Sequence, residues 1–450
     1  MYCITIFLTL LACIVTAEES HHCHANDDNP YLHFGTKSAY NFMHGELKTQ
    51  QNCRPIQLFV VVRHGTRYPD LDQIPNMQKL LILRDEIISN HREKQMGHLC
   101  ESDLKNLENW KLDDNVTDNM TELLTPQGEN DLKGLALRLK AAFPELLTTI
   151  NNSSTNDYVF RSTKTQRTEK SMSSFIERLF GNKNAVTPEN VPNNDTLLRA
   201  NKQCVPMRKE VRRNIFTAER NKFDNEPEMK NLIHNVSRRL GFQNNITLDS
   251  VISMYDMCRF EKAWNVDKIS PWCAVFSKQE FIVLEFREDL YYYYYVGPGN
   301  RRNAILGCPL MKDLFQHFRK LEGNDFNQEP KGIFYFAHTA TLQPLLTALG
   351  FNNGSQPLLA TNFQESKERQ WRTSFIGPFA TNLVAAFYKC KNDNSTNVQN
   401  KVVFHWAERL VKYDGCTQGL CNWEYINDKL GKKADDCNMD FCFNATKLAK

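Results

Sequence analysis

Three continuous apolar runs, each followed by polar residues and then by a helical pattern, most strongly constrain the fold of this chain. The runs cover residues 56–62, 158–160 and 333–337, and the helical patterns cover residues 76–88, 169–179 and 342–349. A continuous apolar run is typical of a strand that is covered on both faces. Because strands and helices alternate, the sequence predicts an α/β fold with a mostly parallel central sheet flanked by helices.

The polar residues that end these runs are the first candidates for a functional site. Arg63, Arg161 and His338 directly follow the three runs. Ligands of open α/β sheets bind beyond the carboxyl ends of the strands. We therefore expect all three side chains to face one crevice.

A stretch in the middle of the chain interrupts this alternation. Residues 182–305 are polar, rich in asparagine and helix-biased. They predict an inserted, mainly helical domain, with residues 18–181 and 306–450 forming the α/β core. Five consecutive tyrosines, residues 291–295, are predicted to pack as a buried aromatic helix or strand, since tyrosine buries a large apolar area.

The first 17 residues differ in character from the rest of the chain. They carry no charged side chain, are mostly apolar and end in Val15-Thr16-Ala17. This pattern is typical of a cleaved signal peptide and predicts a secreted protein. No later segment reaches the roughly 20 apolar residues that a membrane span requires, so no span is predicted.

Cysteine and asparagine usage agree with the secretory pathway. Two of the 14 cysteines fall in residues 1–17, and the remaining twelve can form six disulfides whose pairing the sequence leaves open. Disulfides are favoured over a metal site for the four cysteines of residues 416–442, and for Cys23, which lies among three histidines.

Sequons of the type Asn-x-Ser/Thr predict a glycosylated surface. They are Asn115, Asn119, Asn151, Asn152, Asn194, Asn235, Asn245, Asn353, Asn394 and Asn444.

The overall charge is nearly balanced, with one basic exception. The chain carries 55 Lys and Arg against 52 Asp and Glu, which excludes a generally polybasic nucleic-acid binder. Residues 199–222, however, carry eight basic and two acidic side chains. Either a solvated helix face or a basic wall that attracts a polyanion explains this segment. The second interpretation gives these substrate-binding candidates: Lys202, Arg208, Arg212 and Arg372, with Lys262, Arg301 and Arg302 as additional ones.

The strongest chemical signal is the sequence RHGTR at residues 63–67. Two arginine forks, Arg63 and Arg67, can surround the oxygens of a phosphate monoester. His64, held between them with one ring nitrogen free, can attack phosphorus and form a phosphohistidine. Because the arginines supply the charge that a metal supplies elsewhere, no metal and no cofactor is predicted.

Several segments resemble one enzyme family. Residues 63–69 (RHGTRYP) resemble the signature of the histidine acid phosphatases, and residues 161–168 (RSTKTQRT) resemble that family's second conserved block. Further segments resemble its multiple inositol polyphosphate phosphatase branch, which implies a phosphoglycerate-mutase-like fold. They are residues 270–274, 307–310, 371–374 and 378–380. A cytosolic phosphoglycerate-mutase-like relative shares the RHG start, but the predicted signal peptide and the cysteine count argue against it.

The resemblance, which extends from about residue 50 to about residue 425, implies roles for individual residues. His64 is the expected nucleophile, and Arg63, Arg67, Arg161 and His338 are expected to hold the phosphoryl group. The implied substrates are small polyanions, namely inositol polyphosphates, with 2,3-bisphosphoglycerate as a second candidate. The oligomeric state is left open.

The chain departs from the family at the proton donor. The inositol phosphatase branch has His-Ala-Glu where this chain has His338-Thr339-Ala340, and alanine cannot protonate a leaving alcohol. Loss of general acid catalysis costs on the order of 10² to 10⁴ in rate. The similar sequence HWAE at residues 405–408 offers Glu408 as a relocated acid, but the segments that flank it do not resemble the family's catalytic segment.

Two functions follow from these observations. The intact Arg63-His64-Arg67 set favours a secreted phosphatase, because a protein that only binds phosphate has no need of a nucleophile. Ala340 favours a phosphatase fold that binds polyphosphates with weak or no turnover.

Overall fold

This computed structural model describes most of the chain. The described residues are 23–24, 30–50, 52–147, 157–323, 328–351, 354, 356–392 and 395–443. The predicted signal peptide, His21, His22 and five sequons lie outside them. Those sequons are Asn151, Asn152, Asn353, Asn394 and Asn444. The other five, Asn115, Asn119, Asn194, Asn235 and Asn245, are exposed.

Within the described residues, the chain forms seven strands and 17 α-helices. The strands are β1 (Cys53–Arg63), β2 (Tyr158–Ser162), β3 (Gly332–Ala337), β4 (Asn382–Asn392), β5 (Ser395–Trp406), β6 (Arg409–Leu410) and β7 (Leu420–Asn422). The helices before the middle of the chain are α1 (Tyr40–Met43), α2 (Ile74–Gln78), α3 (Leu80–Arg92), α4 (Glu101–Glu108), α5 (Pro126–Ala142), α6 (Gln166–Phe180), α7 (Ala200–Gln203), α8 (Val205–Arg212) and α9 (Ala218–Phe223). The later helices are α10 (Pro227–Arg239), α11 (Leu248–Trp264), α12 (Lys278–Tyr295), α13 (Arg302–Arg319), α14 (Thr339–Leu349), α15 (Thr373–Ile376), α16 (Trp423–Asp435) and α17 (Asp440–Phe443).

The strands form one central sheet of order β2-β3-β1-β4-β5-β6, with β7 paired to β5. The three strands predicted from the sequence are neighbours, and β3 runs parallel to both β1 and β2. The pairings that involve β4 to β7 are all antiparallel. The α/β class with flanking helices is therefore confirmed, but the sheet is mixed rather than mostly parallel. Two residues separate β4 from β5, too few for the crossover that a parallel connection needs, so these strands pair antiparallel.

The carboxyl ends of β1, β2 and β3 lie side by side at one edge of the sheet. The amide of His64 donates to the carbonyl of Ala337 at 3.0 Å, and the amide of Thr163 donates to the carbonyl of Phe336 at 3.1 Å. These hydrogen bonds continue the strand pairing into the loops that follow. The three strand ends therefore meet at one edge of the sheet, and the expectation that all three side chains face one crevice stays a prediction.

The central part of the chain is helical, as expected for residues 182–305. Helices α7 to α12 and the start of α13 lie in this range. Buried side chains such as Phe223 and Leu232 belong to the same continuous core as Val60 and Phe334. The division into an inserted domain and a core stays a prediction.

Twelve described cysteines lie in six pairs at disulfide distance, in agreement with the even count. The pairs are Cys23–Cys100, Cys53–Cys390, Cys204–Cys442, Cys258–Cys273, Cys308–Cys437 and Cys416–Cys421. Several join segments more than 100 residues apart in sequence, which restricts the unfolded chain strongly. In the part of the chain that the structure describes, no helix has both the length and the apolar character that a membrane crossing requires.

Candidate active site

His64 directly follows β1, at the point where strand pairing gives way to a loop. Its Nδ1 atom lies 2.9 Å from the carbonyl oxygen of Gly65. A carbonyl can only accept a hydrogen bond, so Nδ1 carries the ring proton and Nε2 of the neutral imidazole holds the free lone pair. Gly65 is required by packing, because a Cβ atom there would lie 2.2 Å from the carbonyl oxygen of Gly128.

Burial and positive charge keep the His64 ring neutral. Burial lowers the pKa of His64 well below its usual value of 6.5, and Arg63, Arg167, His338 and Arg67 lower it further. The neutral imidazole is the nucleophilic form. The site therefore keeps the His64 ring neutral in an acidic medium, which is the form that a nucleophile requires.

Arg63 is held in place beside His64. Its Nη1 atom donates to the carbonyl oxygens of Thr36 and Gly377, both at 2.6 Å. Its guanidinium carbon lies 4.7 Å from the centroid of the Phe379 ring. These contacts fix the orientation of a cation that is 3% exposed.

Arg67 is oriented by its own loop. Its Nη1 donates to the carbonyl of Tyr68 at 2.7 Å, and its Nη2 donates to Oδ2 of Asp70 at 2.8 Å. Burial opposes ionisation of Asp70, but Arg67 and Lys37 outweigh it and hold the pKa of that carboxyl well below its usual range. Asp70 is therefore an ionised anchor for Arg67, and Lys37 is an additional cation that the sequence patterns did not identify.

His338 follows β3 and begins α14, and its ring centroid lies 5.5 Å from that of His64. Its Nε2 lies 2.9 Å from Nη1 of Arg199, and its Nδ1 lies 3.5 Å from Nη2 of Arg167. A guanidinium can only donate and a neutral imidazole has one acceptor nitrogen, so the shorter contact makes Nε2 the acceptor from Arg199. Nδ1 then carries the ring proton, and the 3.5 Å approach of Arg167 is a close contact without a hydrogen bond. Burial lowers the pKa of His338 well below 6.5, and Arg167, Arg199, Arg63 and Arg67 lower it further.

Arg167 and Arg199 are site residues that the sequence interpretation missed. Arg167 lies in the first turn of α6, and Arg199 immediately precedes α7. A sequence signal for each was present. Arg167 is the second arginine of the RSTKTQRT block, and Arg199 begins the basic segment of residues 199–222.

Arg161 contacts two carboxylates, and its expected role in holding phosphate stays a prediction. Its Nη2 donates to Oδ1 of Asp195 at 2.6 Å, and its Nη1 lies 4.0 Å from Oε2 of Glu189. The side chain of Asp195 is only 4% exposed, so its buried negative charge needs the positive charge of Arg161 as a partner. Arg167, rather than Arg161, lies beside His338.

The other predicted substrate-binding cations are not gathered at the histidines. Lys202, Arg208 and Arg212 are exposed on α7 and α8. Arg372 donates to Oε2 of Glu285 at 3.1 Å, so its charge is compensated within the protein. Of the additional candidates, Lys262 donates to the carbonyls of Val266 and Lys268. Arg302 forms an ion pair with Glu210. Arg301 is exposed.

Ala340 is the second residue of α14 and lies partly exposed beside His338. The hydroxyl of the neighbouring Thr341 donates to the carbonyl of Leu198 at 2.7 Å. Neither residue offers an acidic proton at this position.

Glu408 is engaged in a buried ion pair. Its side chain is fully buried, and its two oxygens accept from Nε and Nη2 of Arg138 at 2.7 and 2.8 Å. It also accepts from the hydroxyl of Tyr40 at 2.7 Å. This geometry argues against the relocated acid suggested by the HWAE sequence.

The run of five tyrosines ends α12, and its burial is uneven. Tyr293 is buried, whereas its four neighbours in the run are only partly buried. The hydroxyl of Tyr292 lies 3.5 Å from Oγ1 of Thr36, whose carbonyl binds Arg63. The run thus contributes both to the core and to the surroundings of the candidate site.

Sequence comparison decides the family. A model of the histidine phosphatase superfamily (branch 2) matches residues 56–405. This chain belongs to that superfamily. The matched segment begins in β1 and ends in β5, so it contains both histidines and the four arginines that surround them.

The relatives of this histidine phosphatase define the branch. Multiple inositol polyphosphate phosphatase 1 of Drosophila melanogaster is 35% identical over 448 aligned positions, which cover 97% of this chain and 93% of that protein. Multiple inositol polyphosphate phosphatase 1 of Homo sapiens is 30% identical over 421 positions, which cover 86% of this chain and 83% of that protein. The resemblance inferred from the sequence blocks is confirmed.

Solved structures show the same fold at low identity. The phytase from D. castellii superposes with a TM-score of 0.69 at 18% identity, covering 92% of this chain and 88% of that one. The apo form of Bifidobacterium longum multiple inositol polyphosphate phosphatase gives a TM-score of 0.60 at 15% identity, covering 86% and 94%.

Proposed function

We propose that this superfamily member is a secreted, glycosylated phosphomonoesterase that removes phosphate from inositol polyphosphates through a phosphohistidine at His64. The observation that carries the proposal is the lone pair on Nε2 of His64, with Arg63, Arg67 and Arg167 close enough to lower the pKa of its ring. The inositol polyphosphates named for the relatives supply the substrate class, with 2,3-bisphosphoglycerate as a second candidate. The predicted signal peptide and the six disulfides support secretion.

The chemistry takes two steps. First, Nε2 of His64 attacks phosphorus, the bond from phosphorus to the ester oxygen breaks, and the leaving oxygen takes up a proton. Water then attacks phosphorus, the phosphorus–nitrogen bond breaks, and inorganic phosphate leaves. The arginines and His338 stabilise the negative charge on the phosphoryl oxygens in both steps.

The neutral state of His64 suits this order of events. A neutral ring attacks, becomes positively charged in the phosphohistidine and is neutral again after hydrolysis. Because burial and the arginines lower the pKa of His64, we expect turnover to persist below pH 6.5.

A second function remains supported by one observation. Ala340 lacks the proton donor of the family motif, which favours a protein that binds polyphosphates with little turnover. Leaving groups that need no proton are expected to react even so, because formation of the phosphohistidine does not itself require the acid.

The decisive measurement is phosphate release from inositol hexakisphosphate and from p-nitrophenyl phosphate by the secreted protein and by His64→Ala. Release from both substrates by the wild type and from neither by the variant supports the phosphatase. Release from the aryl phosphate alone limits the enzyme to good leaving groups. Release from neither, with inositol hexakisphosphate still bound, supports the binding protein.

Ala340→Glu separates the two functions in a second way. A phosphatase limited by protonation of the leaving group is expected to gain rate on inositol hexakisphosphate from the new carboxyl group. Absence of any gain in a protein that has no measurable turnover identifies a remodelled pocket that only binds.

A further inference from the structure

A cavity of about 980 Å³ lies between α14, α15, α16 and the segment that follows β5. Its size is within the range of small-molecule sites in proteins. None of the described residues that line it belongs to the cluster of His64, His338 and the arginines beside them. The cavity is therefore a separate place on the protein at which a small molecule fits.

Positive charge dominates the lining of this cavity. Six basic side chains line it, against the single carboxylate of Asp414. Two of them, Arg369 and Arg372, form ion pairs with the buried Glu285. The other four form no ion pair with any carboxylate in the part of the chain that the structure describes. They are Arg409, Lys412, Lys429 and Lys433.

Two of these cations lie on one face of α16. Lys429 and Lys433 are four residues apart in the helix, a spacing at which like charges repel. Nζ of Lys429 donates to the hydroxyl of Tyr425 at 3.2 Å and lies 4.6 Å from the centroid of the Tyr413 ring. Tyr413 also lines the cavity. These aromatic contacts hold the ammonium group at the cavity wall, and a bound anion would relieve the repulsion between the two lysines.

Arg409 in β6 brings a guanidinium to the same cavity. The guanidinium carbons of Arg409 and Arg372 lie 5.1 and 4.5 Å from the centroid of the Phe375 ring. The guanidinium of Arg409 forms no hydrogen bond with a described residue, and its Nη1 atom is buried. A guanidinium carries five N–H donors whose forked arrangement suits phosphate oxygens. Arg409 therefore has donors for which the described protein supplies no acceptor.

The amount of charge indicates the class of ligand. Four unpaired positive charges and one negative charge leave a net charge of +3. One phosphate group carries at most two negative charges, so a ligand with several such groups matches the cavity better than a single phosphate. We propose that this cavity is a second binding site, separate from His64, for a small polyanion that carries several phosphate groups. The site binds and does no chemistry, because it holds no nucleophile of the kind that His64 provides.

The test is isothermal titration calorimetry of the full chain with inositol hexasulfate, which carries six anionic groups on one ring and has no phosphate ester to hydrolyse. The wild type is expected to bind two molecules, one at the His64 cluster and one in the cavity. The triple variant Lys412→Gln/Lys429→Gln/Lys433→Gln is expected to bind the second molecule at least about 10²-fold more weakly, because three charged donors are lost. All three lysines are exposed, so the variant is expected to keep the urea unfolding midpoint of the wild type.

The matched control is Lys105→Gln/Lys183→Gln/Lys268→Gln, which removes the same charge at exposed positions away from the cavity lining. It is expected to bind two molecules, as the wild type does. Equal stoichiometry and affinity in the cavity variant and the wild type overturn the proposal. An equal loss in the control variant also overturns it, since the attraction would then come from the overall charge. Inorganic phosphate that binds the cavity as tightly as inositol hexasulfate contradicts the need for several anionic groups.

The proposal is independent of turnover at His64, and the two fail in different ways. Arg167→Gln is expected to weaken binding at the His64 cluster and to leave the cavity molecule in place. If the His64 cluster does not bind the polyanion, the wild type binds one molecule and the lysine variant binds none. If the cavity does not bind it, the wild type and the lysine variant each bind one molecule, and Arg167→Gln weakens that one.

Discussion

Nη1 of Arg199 lies 2.9 Å from Nε2 of His338, so the basic segment of residues 199–222 contacts the site through its first residue. Because Arg199 contacts His338, it acts on the ring that we propose binds the phosphoryl group. The exposed cations farther along α7 and α8 are placed to act on a polyanion only from a distance.

Arg199→Gln is expected to lower kcat/KM by about 10-fold, because a charge-assisted hydrogen bond to His338 is lost. The titration of His338, followed by NMR of labelled histidine, is expected to move to higher pH, since Arg199 contributes to lowering its pKa. Lys202→Gln, in the neighbouring helix turn, is the control and should leave that titration unchanged. An unmoved titration in Arg199→Gln contradicts the contact.

The two arginines of residues 161–168 are expected to separate into different roles. Arg167→Gln should lower the rates on inositol hexakisphosphate and p-nitrophenyl phosphate by about 10²-fold each. The reason is that the transition state loses a hydrogen-bond donor to its negatively charged phosphoryl oxygens. Arg161→Gln should instead lower the free energy of unfolding by about 3 kcal/mol, because the buried Asp195 loses its partner. Steady-state kinetics and urea unfolding of both variants check this, and a larger kinetic effect from Arg161→Gln contradicts it.

Glu408 is expected to matter for stability and not for proton transfer. Glu408→Gln removes the buried charge of this ion pair and should cost about 1 kcal/mol in unfolding free energy, because Arg138 is 33% exposed and water can solvate the charge that remains. The ratio of the rates on inositol hexakisphosphate and p-nitrophenyl phosphate should stay unchanged. A loss of rate on inositol hexakisphosphate alone would show that Glu408 is the proton donor.

His405 is expected to contribute to acid sensitivity. Burial lowers its pKa from 6.5 to about 4, so the unfolded chain binds more protons than the native protein between these values. Stability from this group is therefore complete above pH 6.5 and falls as the pH drops toward 4, by up to about 3 kcal/mol. In His405→Gln, urea unfolding at pH 7 and pH 4.5 should show a smaller difference than in the wild type. An equal difference rules out His405 as a contributor.

The sequence predicted the elements that local patterns encode. The apolar runs of residues 56–62 and 333–337 became β1 and β3, because long apolar runs can only be buried as central strands. The mixed sheet was not predicted, since the direction of β4 and β5 depends on the length of the connection between them and on which edge of the sheet is free. The RHGTRYP motif predicted His64 as the nucleophile, because its residues are adjacent in sequence.

The sequence by itself determined the superfamily, the proposal of His64 as nucleophile and the absence of a carboxyl group at Ala340. These depend on residues that act next to one another in the chain. Only the tertiary structure showed that Arg167 lies beside His338, that Arg161 pairs with Asp195, and that Glu408 pairs with Arg138. The physical reason is that each of these choices is a pairing of charges across loops and helices, and the energy of such a pairing depends on distance and burial in the folded protein.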